Sequence, residues 1–266
     1  IIYIDKFTTE GLSEKINFLK KDIFNIILEE PCWHKKLDIN PFKYECIRNL
    51  KIRKTVIISD FFLDTDYLKW FLMWAKIDFV ASNHQTSINF ISQINHLKEI
   101  FYLPFSIRKQ DYKKKIKKDI DILYTSRSEP VTPLRNRLIK ILEKQFKVTN
   151  LAHPGKRLDK SSKKIHGSNY IEYLKRSKFV ITCTTKYKIS LRKYWEIYAA
   201  GAIAIGDLTE YPEHDILRQN IILITEDLSD QEIIKKVRQN LENYEKLFKG
   251  INSISDKLID NLSTEN

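Results

Sequence analysis

The sequence predicts an α/β protein made of two β/α/β halves, on three observations. Short apolar runs bounded by polar or turn residues alternate with stretches at helical spacing, the signature of parallel β-α units. A lysine-rich stretch, SIRKQDYKKKIKKD from Ser106, interrupts that alternation near the middle. After it, two strand–loop–helix units carry their basic residues on the loop side, where open parallel sheets bind ligands. At 266 residues the chain can hold two modest domains, each with its own core.

In the first half, Ile1–Asp5, Ile23–Glu29, Thr55–Asp60, Ile77–Ser82 and Ile100–Leu103 read as strands, with helices at Glu14–Lys21, Asp64–Lys76 and Thr86–Leu97 between them. The second half repeats the scheme. Strands are expected at Asp121–Tyr124, Lys147–Leu151, Phe179–Cys183, Ala202–Gly206 and Ile221–Ile224. Helices are expected at Pro133–Gln145, Ser168–Ser177, Leu191–Ala200 and Asp230–Phe248. The predicted domains are therefore 1–105, a basic linker over 106–118, and 119–250. A C-terminal helix and tail over 251–266 is expected to pack back on the first domain.

The chemistry concentrates in TTKYKISLRKYWEIYAAGAIAIG, Thr184 to Gly206. Read as a helix between two apolar strands, it crowds Lys186, Lys188, Arg192 and Lys193 around a helix start, at a cost of roughly 0.3–1 kcal/mol each. An anion bound at the free amides would offset that cost. The stretch Asp121–Gln145 repeats the pattern: Thr132 and Pro133 form a cap-then-proline helix start, with Arg127 in the loop and Arg135 and Arg137 in the first turns. His153-Pro154-Gly155-Lys156 adds a glycine turn with cations, short of a P-loop.

The net charge of +12 and a pI near 9.4 call for an anionic partner. Cys32, Cys46 and Cys183 have no metal-ligand spacing and read as buried thiols of a reducing compartment. No apolar run reaches the roughly eighteen residues of a membrane span and no signal peptide is evident, so a cytoplasmic location is expected.

The run HGSNYIEYLKRSKFVITCTTKYKISLRKYWEIYAAGAIAIGDLTEYPE resembles the donor-binding half of GT-B glycosyltransferases, most of all the CgeB-type group. The resemblance rests on His166, Gly167 and Tyr170, then Arg192, Trp195-Glu196 and Ala199-Ala200-Gly201. It covers about 119–248 and is weaker before that, where IFYLPFSI is similar to the segment ending a first GT-B domain. The resemblance implies two Rossmann-like β/α/β domains facing each other across a cleft. It further implies a metal-independent transferase whose nucleotide-sugar donor is a substrate rather than a cofactor, and whose acceptor is a glycan or glycoconjugate. Arg192 would neutralise diphosphate oxygens and Glu196 would accept the ribose hydroxyls. Ser126, Arg127, Arg135, His153, Gly167, Tyr170, Lys188, Ser190 and Leu191 would complete the donor site. Lys188 departs from the pattern, since many retaining members carry a glutamate there.

His34, Asp60 and His84 each follow a strand in the first half and are base candidates, His34 and Asp60 foremost. Asp64-Thr65-Asp66 and Asp119-Ile120-Asp121 match a metal-binding D-x-D by chance, Asp64 being better read as a helix cap, and no metal site is assigned. A nucleic-acid binder and a sugar-nucleotide epimerase are the alternatives. The first would need a continuous basic stripe interleaved with aromatics, and the second more acid–base residues than the sequence shows.

Overall fold

The computed structural model describes residues 2–5, 25–29, 48–58, 65–125, 130–151, 167–210, 215–219 and 221–262. The chain divides into two compact units, Ile1–Pro104 and Phe105–Asn266.

The first unit contains a parallel sheet in the order β1 (Ile2–Asp5), β2 (Asn25–Glu29), β3 (Arg53–Ile58), β4 (Phe79–Ser82), β5 (Glu99–Tyr102). Spatial order follows chain order, so these strands contain no reversal. In β3 the even positions face inward, burying Val56 and Ile58 and also Lys54. The Lys54 ammonium donates to the carbonyls of Arg48, Ala75 and Lys76 at 3.3, 3.3 and 3.4 Å. It thereby supplies the cation that the carboxyl end of helix α1 (Thr65–Trp74) favours. α1 buries Leu68, Phe71 and Leu72, and α2 (Gln85–Ile91) follows β4.

The second unit begins with α3 (Lys109–Tyr112), inside the segment predicted as a linker. Ile107 and Tyr112 are buried in its core, so the lysine run is anchored by apolar side chains that its charge obscured. Its parallel sheet has the order β10 (Ile221–Leu223), β9 (Ile203–Gly206), β8 (Ser177–Ile181), β6 (Ile120–Tyr124), β7 (Val148–Asn150). The chain runs from β6 outward to β7, then returns to the other side of β6 at β8. Alternation along the strands feeds two cores. Ile122, Phe179, Ile181, Ile203 and Ile205 pack against α4 (Pro133–Leu142) and α8 (Asp230–Glu242). Leu123, Val180, Ala202 and Ala204 pack against α5 (Gly167–Arg176) and α6 (Lys193–Ala199). The alanines leave room for Tyr194 and Tyr198, both fully buried. A short α7 (Asp215–Arg218) precedes β10.

The end of the chain differs from expectation. One helix, α9 (Tyr244–Leu262), runs through the break expected between 248 and 251, and it packs on the cores of the second unit. The reason lies in its buried face: Ile251 and Ile259 enter the two cores, and Ser255 donates to the Ala199 carbonyl at 3.0 Å. Lys109–Asp260 and Lys115–Asp256 pairs at 2.7 and 3.2 Å tie α9 to the lysine-rich segment.

Two glycines hold positions that disfavour a side chain. Gly201, at φ 64°, ends α6: its N–H reaches the Tyr198 carbonyl at 2.9 Å and that of Ala202 reaches Ile197 at 3.0 Å, a Schellman closure. At Gly206 a Cβ would stand 1.7 Å from the Thr182 carbonyl oxygen. Gly206→Ala is therefore expected to cost about 3 kcal/mol or more in urea unfolding, because backbone is what must yield; an unchanged midpoint refutes the close approach.

Lys118 donates to the Ala200 carbonyl at 2.9 Å, and burial, with Lys175 nearby, lowers its ammonium to about 7. Its folded pKa lies below the unfolded value of 10.5, so the unfolded chain binds the extra proton between the two. This group thus makes stability rise with pH across that window. Lys118→Met should flatten the rise in a pH series of denaturation midpoints, and an unaltered slope would show that the amine titrates normally.

Candidate functional site

In a doubly wound sheet the ligand crevice lies outside the carboxyl ends of the strands where the winding reverses. Here that point is between β6 and β8, beyond Tyr124 and Ile181. The segment after β8 forms a tight loop organised by Thr185. The Thr185 N–H donates to the Ile189 carbonyl at 3.0 Å and its carbonyl accepts from Lys188 at 2.8 Å. Its hydroxyl oxygen accepts from the N–H groups of Tyr187 and Ile189, both at 3.3 Å. Lys188 adopts φ 55° within this turn.

Two contacts draw this loop and the end of β6 together. The Lys186 N–H reaches the Val131 carbonyl, just before α4, at 2.8 Å. The Lys193 ammonium reaches the Thr125 carbonyl, directly after β6, at 3.1 Å. A third clamp comes from β9. Asp207 accepts from the Thr184 N–H at 2.7 Å and from its hydroxyl, while the Tyr194 hydroxyl donates to the Asp207 carbonyl.

At the start of α6 stands a polar triad. Glu196 accepts from the Tyr170 hydroxyl at 2.9 Å and pairs with Arg192 at 3.2 Å. Burial and the adjacent Glu196 carboxylate push the Tyr170 hydroxyl well above the ordinary phenol range, so it stays protonated and donating. Tyr112 lies within the field of Glu196 and Arg192, and burial, then Glu196, push its hydroxyl up as well. The Arg192 side chain is 57% exposed against 18% for Glu196. Glu196 thus serves as a fixed anchor, and Arg192 extends from it with most of its five N–H donors unspent on that pair.

The sequence-predicted residues separate accordingly. Tyr170, Ser190, Leu191, Arg192 and Glu196 lie at this edge, Ser190 buried with its hydroxyl 3.4 Å from that of Thr209. Gly167 opens α5. Lys186 and Lys188 are not in a helical first turn: α6 starts only at Lys193, and Thr185 holds both lysines in the loop before it. Lys188 pairs with Glu226 at 3.1 Å. Arg135 is 4% exposed, its charge felt by the Cys183 thiol and the Tyr194 hydroxyl. Arg137 is engaged by α8 and the loop before it, binding Asp230 at 2.6 Å and the carbonyls of Leu228 and Glu226 at 2.6 and 3.1 Å, which ties α4 to α8. Ser126, Arg127, His153, His34 and Asp60 lie outside the described residues, as do Cys32 and Cys46. His84 is buried just past the end of β4 and precedes α2.

Asp207, Thr184 and Tyr112 escaped the sequence reading. The first had a signal, an acid immediately after the strand IAIG. Cys183 is buried, which pushes its thiol up and leaves it a packing residue. Asp119 and Asp121 are taken by Arg176 and Lys178 at 2.6 and 2.7 Å. Among the described residues no group of three His, Cys, Asp or Glu side chains is placed to hold a metal, and no helix is long and apolar enough to cross a membrane.

No protein-family model and no curated protein matches the sequence. Solved structures do match. HepE of Anabaena, in complex with UDP and glucose, superposes with a TM-score of 0.66 at 14% identity over 95% of this chain and 78% of its own. TarM gives 0.64 at 16% identity over 94% of this chain and 55% of its own, so the chain spans little more than half of TarM. The BGT of T4 phage, in complex with its UDP-glucose substrate, gives 0.58 at 13% identity over 98% and 92%. With two parallel α/β sheets and these neighbours, the chain has the GT-B fold of glycosyltransferases.

Proposed function

We propose that the chain is a glycosyltransferase that moves a sugar from a nucleoside-diphosphate sugar to an acceptor hydroxyl, and that its donor binds at the carboxyl edge of the second sheet. The observation that carries this reading is the triad at the reversal point: a half-exposed Arg192 braced by a Glu196 that Tyr170 holds in place. Two of the structural neighbours were solved with UDP or UDP-glucose, which supports a nucleotide-sugar as the ligand of this edge.

In this reading Arg192, with Arg127 and Lys188, meets the diphosphate, and Glu196 accepts from the ribose hydroxyls with the lone pairs left by Tyr170 and Arg192. Ser126, His153, Gly167, Ser190 and Leu191 line the nucleotide. Arg135, being buried, contributes its field through the floor rather than by direct contact. The acceptor oxygen attacks the anomeric carbon, and the bond from that carbon to the phosphate oxygen breaks. The nucleoside diphosphate leaves with its new charge opposite Arg192, and the acceptor proton passes to a base, for which His34 and Asp60 are the candidates. The leaving charge is matched by cations of the chain, so the reading needs no metal.

Six of the described cations are spent on aspartates, which does not favour a nucleic-acid stripe. Lys98, Lys109, Lys115, Arg137, Arg176 and Lys178 are each paired with an aspartate.

Two measurements test the donor site. Arg192→Ala should weaken UDP binding by about tenfold or more in calorimetry, as expected for a lost charge-assisted contact, with the melting temperature unchanged; equal affinity removes the assignment. Tyr170→Phe deletes one hydroxyl and frees Glu196. It should raise KM for the nucleotide-sugar severalfold, on the order of 1 kcal/mol, and no change in slow UDP release from a nucleotide-sugar panel would show the triad to be purely structural.

A further inference from the structure

The first unit carries an apolar helix face, exposed at Trp70 and Met73, that the proposed donor site does not use. α1 turns Leu68, Phe71 and Leu72 inward, and its opposite side presents Trp70, 42% exposed, and Met73, 61% exposed. Tyr67, Trp70 and Trp74 run along the helix as a ladder, with ring centroids 5.2 and 5.6 Å apart and the two indoles nearly parallel at 18°. Cations frame it. Arg48 lies 5.4 Å over the Trp74 ring, Lys69 lies 4.5 Å over Phe90, and Lys76, exposed, follows the helix. Asp66 is the one acid in α1.

We propose that this face of α1 docks the protein on an anionic phospholipid surface. Tryptophan and tyrosine suit the water–hydrocarbon boundary, since each pairs an apolar ring with a polar handle. Cations at the rim of such a face meet acidic headgroups while their stems cover apolar surface. The same basic rim disfavours a second copy as occupant, because a symmetric contact would set these cations opposite their own images in a chain of net charge +12. The docking is independent of the donor site, which lies in the other unit.

The test is co-sedimentation of the full chain with phosphatidylcholine vesicles, with and without phosphatidylglycerol, and quenching of tryptophan fluorescence by brominated acyl chains. Binding and quenching are expected only with phosphatidylglycerol. Met73→Glu and W70S/M73S should each lower the partition coefficient by about tenfold or more, W70S/M73S should also lose most of the quenching, and both should keep the wild-type circular dichroism and melting temperature. Lys113→Glu/Lys114→Glu should retain the quenching. The proposal is overturned if the wild type ignores anionic vesicles, or if both α1 variants bind like the wild type, so that the lysine run alone attracts lipid. A concentration-dependent dimer abolished by W70S/M73S would overturn it too, marking α1 as a contact between copies.

Discussion

The carboxyl ends of β8 and β9 run against each other more closely than any side chain permits, and the loop and triad at this edge of the sheet are assembled on that contact. Gly206 lies where even a methyl group would meet the Thr182 carbonyl, so the next residue, Asp207, arrives within reach of Thr184. Its carboxylate binds both the amide and the hydroxyl of Thr184. The loop that follows then starts from a fixed point, and Thr185 closes it with four hydrogen bonds of its own. A segment with three exposed residues, Lys186 to Lys188, is thereby held in one shape without a core of its own.

The triad depends on the same chain of constraints. Tyr194 and Tyr198 fill the space above Ala202 and Ala204, which seats α6 on the sheet. The Tyr194 hydroxyl also reaches the Asp207 carbonyl, so the helix that bears Glu196 and the strand end that shapes the loop are bonded to each other. Tyr170 brings the start of α5 to the same point. Arg192 is left as the exposed member of an otherwise satisfied group, which is how a cation is kept available without being left to wander.

Much of this was legible. Every strand among the described residues falls within about two residues of an apolar run read from the sequence, because fully covered parallel strands must be apolar on both faces. Gly201 announced the end of α6, and Arg192, Glu196 and Tyr170 were legible as members of a motif. Their mutual bonding was not, since Tyr170 and Glu196 are 26 residues apart. Lys186 and Lys188 fall in a loop and not at the start of α6, because nothing in KYKIS reveals that the Thr185 hydroxyl accepts two amides there. Ile107 and Tyr112 were hidden among lysines, whose charge dominates any reading of composition. Asp207 gains meaning only from the glycine beside it, a spatial rather than a sequential relation.

The path of α9 has a consequence for the integrity of the site. Ser255 and Lys118 hold the two last carbonyls of the α6 region, at Ala199 and Ala200, and Ile251 and Ile259 anchor α9 in the two cores. A premature stop near Gly250, or a proteolytic nick there, would strip the brace from the far end of the helix that carries Glu196. The lesion would lie a helix length from the Arg192–Glu196 pair, yet it would loosen the footing of that pair.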